Sequence, residues 1–465
     1  MAGNEHLAKV MREAAFLARD GSIGKKVFAR AVTREARSQG IEREYSHTYV
    51  TRWLNGVVPR DAQTCGFIVS ALARKLGRRV DAEEVGFGDS SPLPADLGLQ
   101  YPETAEESVA VVSRLWRADL HDAEALVTAG TNVAAWNEAS LNWLVGTPSG
   151  LITPSSASRR VGLADIERIR TTTDLFGQLD NQYGGGHARH SLIQFLRSDL
   201  PPLLRGSYTE ETGRSLFATA AESTLLAAWM SYDSGVHGMA QRYFIQALAL
   251  AQEGGATLLA GSILDAMSHQ ATYLGRFREA ANLARAARMG TASQATPTLT
   301  AHFYAMEARA HARLGETSDC DTALSAAVSE FERRQPGEGP DFLDYFDDAE
   351  LAAEFGHCNR DLGRATHATT YATQSLGEAN GEYLRSDFFA TMVLADAYLD
   401  QGEDEHACQV ALKAIDIGQQ LKSARCAVYV DEFRQRLTTL GTSTVARDFR
   451  EQAETMPLWR PESAQ

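Results

Sequence analysis

Cysteine is scarce in this chain of 465 residues: Cys65, Cys320, Cys358, Cys408 and Cys426, an odd total with no Cys-x-x-Cys pair. That usage excludes a disulfide framework and fits a reducing compartment. Long apolar runs are missing as well. No stretch approaches the roughly 18 apolar residues of a membrane span. The opening MAGNEHLAKVMREAA lacks the apolar core of a signal peptide. The expectation is a cytoplasmic protein without membrane association. Catalytic patterns are also absent: no His-Glu-x-x-His, no Gly-x-Ser-x-Gly, and no Cys/His set spaced for zinc. His357 and Cys358 are adjacent, which on a helix sends them to different faces, and His187 with His190 supplies only two ligands. Gly21-Ser22-Ile23-Gly24-Lys25-Lys26 lacks the full spacing and the preceding strand of a phosphate loop. The chain is therefore expected to be no enzyme and to need no metal or cofactor.

What the chain does have is an uneven distribution of charge. Its formal net charge is −15, yet residues 1–80 hold 15 Lys+Arg against 7 Asp+Glu, which leaves 30 against 53 for the remainder. A basic head of +8 on an acidic body of −23 points to a polyanion-binding module joined to something that repels polyanions.

The head, residues 1–87, reads as a compact helical domain. Leu7, Val10, Met11, Ala14 and Leu17 mark a first amphipathic helix, broken at Gly21 to Gly24. Val27, Phe28, Ala31 and Val32 share one face of a second, and Phe67, Ile68, Ala71, Leu72 and Leu76 one face of a fourth. Between these lies YSHTYVTRWLNGVVPR, Tyr45 to Arg60. Ser46 is placed to cap a short helix, Gly56 to end it in a left-handed turn, and Pro59 to stop it resuming. Val50, Trp53 and Leu54 form its apolar stripe, with Trp53 assigned to the core. The opposite face carries His47, Thr48, Tyr49, Thr51, Arg52 and Asn55, side chains suited to base edges and phosphate oxygens. Lys25, Lys26, Arg43, Ser46 and Arg60 complete the candidate DNA-contact set. The competing reading is a small helical bundle used for protein contacts.

VTRWLNGVVPR resembles the end of the recognition helix and the following turn in repressor-like (XRE-type) helix-turn-helix domains, with Thr51-Arg52-Trp53 in place of their frequent Ser-Arg-Trp. The connection from Ala36 to Tyr45 is longer than the tight turn of the simplest members. More broadly, YSHTYVTRWLNG, RLWRADL, DNQYGGGHAR and WMSYDSGVHGMAQRYFIQAL resemble the actinobacterial helix-turn-helix/tetratricopeptide regulators, similar to NsdA-type developmental repressors. The resemblance implies an all-α protein, a transcriptional regulator of development or secondary metabolism.

Residues 88–104 are rich in Pro, Gly and Ser and read as a linker, followed by a helical junction over 105–210. Within the junction, residues 146–160 read as a long mobile polar loop. Gly184-Gly185-Gly186 reads as a sharp interhelical turn, the alternative being an anion cradle at a helix start.

Residues 211–456 carry an internal period: a turn glycine, a small residue five places on, and another seven later. The sets are Gly235/Ala240/Ala247, Gly275/Ala280/Ala287, Gly315/Cys320/Ala327, Gly363/Ala368/Ser375 and Gly402/Ala407/Ala414. Small residues let antiparallel helices approach and glycine supplies the turn, which predicts a tetratricopeptide-like α-solenoid with Ala424 to Met456 as terminal cap. The glycine steps exceed the standard repeat, so longer helices are expected, with residues 335–341 an extra loop. Counting back six places from each glycine gives an inner row, Trp229, His269, Arg309, His357 and Asp396; Tyr232, Tyr273, Arg313 and Arg360 join it. An aromatic end, a cationic middle and an acidic far end would suit a peptide or small-molecule effector. The alternatives are a solvated groove, or pairing of Arg309 and Arg313 with Glu307, Glu350 or Asp361.

Together these readings predict a one-component regulator: the head on a double-stranded DNA operator, the solenoid sensing a signal and forming a homodimer. The rival is an interaction scaffold whose solenoid recruits a protein while the head only docks it.

Overall fold

The computed structural model describes residues 4–460 except 19, 60, 79, 81, 83, 88–93, 122–125, 127, 129, 153–158, 336, 380, 382 and 442. Among the described residues it is all-α, with no strand, and it divides into two compact units at Leu93/Pro94.

The first unit holds α1 (Glu5–Glu13), α2 (Lys25–Ser38), α3 (His47–Leu54) and α4 (Ala62–Leu76). Helix α1 stops earlier than its apolar spacing predicts. Ala15 takes a left-handed φ of 52°, which turns the chain so that Phe16 becomes the buried residue, 4.9 Å from the Phe28 ring, while Leu17 is exposed. Asn4 ties the unit together: its side chain caps Leu7 N–H and donates to Val85 O, and its backbone N–H donates to Leu54 O. Asp61 caps α4 by accepting from Thr64 N–H. Val50, Trp53, Phe67, Ile68 and Leu72 fill a common core, as their spacing predicts.

The second unit opens with residues 94–104, which are no free linker. Arg242 is buried and donates to Leu97 O at 3.0 Å and to Ala95 O at 2.6 Å; Gln246 donates to Gly98 O and Gln100 O. Two long polar side chains on one helix satisfy this segment's carbonyls, and Gly98, at φ +80°, lets the chain pass within van der Waals reach of Arg242. Then come α5 (Ala105–His121), α6 (Val133–Val145), α7 (Leu163–Tyr183) and α8 (Arg189–Leu204). The loop expected to be mobile is held at its start, where Ser149 donates its N–H and hydroxyl to Glu253; residues 153–158 lie outside the described residues.

Five antiparallel pairs follow: α9 (Glu210–Asp233) with α10 (His237–Glu253), α11 (Thr257–Tyr273) with α12 (Phe277–Thr291), α13 (Pro297–Leu314) with α14 (Thr317–Phe331), α15 (Asp348–Asp361) with α16 (Ala365–Glu378), and α17 (Leu384–Asp400) with α18 (Asp404–Gly418). The five turn glycines have φ between 70° and 76°, and the ten small residues at the repeat offsets are all buried. The predicted packing device is therefore present in every pair. The extra length is not uniform: α9 has 24 residues but α15 and α16 have 14 each, and the long step before Gly363 comes from the insertion between Phe331 and Asp348. The chain ends with α19 (Ala424–Leu437) and α20 (Thr444–Ala453). Phe433, Phe449 and Trp459 seal the last pair, so the terminal cap is there.

The array curls until its end meets its beginning. Lys422 N–H donates to Tyr183 O at 2.7 Å, Ser423 Oγ donates to Asp233 Oδ1 at 2.8 Å, and Arg385 on α17 pairs with Asp180 on α7 at 3.0 Å.

Candidate functional site

Two surfaces gather the residues singled out in the sequence, one in each unit. In the first unit, α3 presents an open polar face. Ser46, His47, Thr48, Tyr49, Arg52 and Asn55 are exposed and Thr51 half-buried. Arg52 and Lys26 have no ion-pair partner among the described residues, nor does half-buried Lys25. Trp53, 3% exposed, anchors the opposite face against Tyr45, Tyr49 and Phe87.

Three expectations change here. Ser46 stands at the cap position but makes no side-chain capping bond, so its hydroxyl remains available. Thr51 spends its hydroxyl proton on His47 O, which leaves only its lone pairs and methyl outward. Arg43 turns toward α4, donating to Asp61 Oδ1 at 3.0 Å and Thr64 Oγ1 at 3.1 Å, because the α4 cap presents a carboxylate there. Arg60 lies outside the described residues. Gly56 is left-handed at φ 86° and closes α3, with its N–H donating to Trp53 O and that of Val57 to Arg52 O.

In the second unit the inner row converges, but it is not an open groove. Helix α19 lies along it. Arg425 stacks over Tyr232 (4.8 Å), Tyr273 (5.9 Å) and Phe389 (4.3 Å); Tyr429 meets His357 (6.1 Å) and lies under Arg360 (5.5 Å); Arg436 reaches Asp396 at 3.4 Å. Trp229, Tyr232 and His269 pack ring against ring, with the Tyr232 hydroxyl 3.0 Å from His269 Nδ1. The cationic middle is largely paired. Arg309 holds Glu354 at 2.6 Å, and Arg360 bonds Asp361 at 2.8 Å and lies 3.6 Å from Asp396. Arg313 approaches Asp361 only to 3.6 Å. Of the predicted neutralising groups only Asp361 serves; Glu307 faces Arg285 and Arg288 instead.

Burial, reinforced by Arg425 and Arg309, holds His269 well below its usual range, and burial with Arg309 and Arg360 does the same for His357. Both rings are neutral donor-acceptors. Burial pushes Asp396 up to about 6. Between the row and α19 a cavity of about 360 Å³ remains, lined by His237, His269, Tyr273, Met306, Arg309, Arg313, Arg360, Arg425, Val428 and Tyr429 among others. Sequence reasoning missed Arg425 and Tyr429. Their spacing of four on α19 puts both on one face, but a helix read only as a cap gives no sign that this face turns inward.

In the glycine turn before α8, one backbone N–H meets a carboxylate, and that carboxylate is the protein's own. Gly185 N–H donates to Asp233 Oδ2 at 2.9 Å, while Gly184 abuts the Lys422 backbone at a distance no Cβ would tolerate and Gly186 lies close beside it.

Comparison with known proteins gives one finding. Residues 7–88 match the SP15 N-terminal domain family, which spans nearly all of the first unit and none of the repeats. No curated protein matches the chain. The similarity therefore marks the head as a domain shared with other proteins and leaves the helical array to be read from its own residues.

Proposed function

We propose that the chain is a DNA-binding transcription regulator of the cytoplasm, a repressor in type, with no catalytic activity. The first unit contacts duplex DNA through α3, and the repeat unit senses a ligand and forms the homodimer. One observation carries this reading: the polar face of α3 is exposed, with Arg52 unpaired among the described residues, while Val50 and Trp53 fix the helix to the core from behind. A helix held on one side and offering Arg, Asn, His and Thr on the other meets the needs of direct readout, since Arg matches guanine and Asn matches adenine in the major groove. The charge of +8 on residues 1–80 against −23 on the rest supports it, as does the resemblance of VTRWLNGVVPR to repressor-like recognition helices. Two copies on a palindromic site would double the small contact area of one head.

To test this, genomic fragments retained by the full chain are selected, and the affinity for the enriched sequence is measured by fluorescence anisotropy. Arg52→Ala should weaken it by about 1–3 kcal/mol, roughly five- to 150-fold. Unchanged affinity in a folded variant would remove α3 from the groove. An interaction scaffold is the second reading. It is favoured by exposed Leu141 and Val145, four apart on α6, and Met289 beside the α6–α12 contact. In that case no sequence would be enriched.

A further inference from the structure

We propose that the cavity between the repeats and α19 is a binding site for a small organic anion with a flat or apolar body, and not for a peptide. The proposal deepens the sensor reading of the repeat unit, but it stands or falls on binding measured without DNA.

Size decides against a peptide. An extended chain would need the row from Trp229 to Asp396, and α19 already occupies both ends, with Arg425 against Tyr232 and Arg436 against Asp396 and Asp400. What remains, about 360 Å³, lies at the small end of ligand pockets.

Charge decides the sign. Four guanidiniums line the space, those of Arg309, Arg313, Arg360 and Arg425, against the carboxylates of Asp361 and Glu432. Behind them, Glu354 takes Arg309 and Asp396 is shared by Arg360 and Arg436. Two cations are left poorly matched. Asp361 Oδ1 accepts from both Nε–H and Nη2–H of Arg360, and Arg313 comes only to within 3.6 Å of that oxygen, beyond hydrogen-bond reach. The carboxylate nearest Arg425 is Asp233, 3.9 Å away, whose oxygens already take Gly185 N–H, Ser423 Oγ and an ion pair with Arg385 at 3.3 Å. Among the described residues Nε of Arg309 and of Arg425 finds no acceptor, and both residues are only 8% exposed. Guanidiniums short of acceptors in a low-dielectric wall are stabilised by a bound anion more strongly than exposed ones, because water screens them less. His237 and His269, both held below their usual range by burial and by Arg425, leave the positive charge to the arginines.

The rest of the wall sets the body of the ligand. Tyr273, Met306, Val428 and Tyr429 offer ring faces and apolar surface, so the anionic group would point at Arg313 and Arg425 with the body against these four. A carboxylate and a phosphate monoester share this chemistry.

The test is isothermal titration calorimetry on the full chain with phenyl phosphate and with benzoate, and with benzamide as the neutral counterpart. The expected result is saturable 1:1 binding of at least one anion, at least tenfold tighter than benzamide; which anion wins distinguishes phosphate from carboxylate. Arg313→Gln, at a half-exposed side chain outside the core, should weaken binding at least fivefold with unchanged thermal unfolding. Val428→Trp, from the exposed mouth of the cavity, should fill it and abolish binding without removing a charge. No saturable heat from either anion at millimolar concentration overturns the proposal; so does equal binding of benzamide, or affinity unchanged in both variants. An anion that binds but leaves operator affinity unaltered would keep the site and overturn only its role as a sensor.

Discussion

Trp53 shows how much one residue settles. It lies at i+3 from Val50 on an eight-residue helix that is too short to persist alone. Its ring stands 5.7 Å from Tyr45 and 6.5 Å from Phe87, so it joins α3 to the segments before α3 and after α4. Replacing it with alanine should cost about 3–5 kcal/mol of head stability, the usual loss for a large buried aromatic. Circular dichroism in denaturant would read it as an earlier first transition. A variant that unfolds like wild type but no longer binds DNA would instead place Trp53 in the interface. That Trp53 is buried was legible from spacing alone. That Tyr45 would join it, with its hydroxyl 2.7 Å from Thr64 Oγ1, was not, because that contact spans nineteen residues of chain.

Among elements, the repeat pairs were the most legible and α19 the least. A turn glycine with small residues at fixed offsets specifies a local helix hairpin, and hairpins of that kind stack on their neighbours. Helix α19 obeys no such local rule. Its Arg425 and Tyr429 acquire their meaning only when the array has curled far enough to bring α9 and α17 to the same helix. Asp233 at the end of α9 is the hinge of that closure, accepting from Gly185 and Ser423 and facing Arg385 and Arg425. Burial opposes its ionisation, but Arg385 and Arg425 still hold its carboxyl below the usual range. Asp233→Ala would strand the buried Arg425 guanidinium and leave Arg385 with Asp180 alone, and should cost about 3–5 kcal/mol. Urea denaturation should show the loss, and limited proteolysis should open the chain near Lys422. A loss below about 1 kcal/mol would mean the ends are held by apolar packing alone.

At the scale of the whole molecule, the split of charge governs how DNA binding would respond to salt. Binding of a basic head to DNA releases counterions, so its log affinity falls with log salt concentration, by about 0.9 in slope for each phosphate neutralised. Lys26, exposed and without an ion-pair partner among the described residues, is a phosphate-contact candidate, so Lys26→Ala should weaken binding to all sequences alike and reduce that slope by about 1. A loss confined to the enriched sequence would make Lys26 a base reader instead. On the proposed reading, the acidic second unit would repel DNA and limit contact to the head.

Helices and repeat packing were legible in the residues themselves, because each depends on positions close together along the chain, and the partition of charge needs only a sum along it. Periodic apolar stripes, glycine turns and small residues at fixed offsets express themselves wherever the chain runs. Which cations stay unmatched emerges only once the chain has folded. Arg309 is neutralised by Glu354 across 45 residues, while Arg425 meets Tyr232 and Asp233 across almost two hundred. Coulomb energy depends on distance in space and on burial, and neither is written in sequence separation. The inner-row residues do come together, but around a helix and not along an open groove. The helix that fills it comes from the far end of the chain, and only closure of the array brings it there.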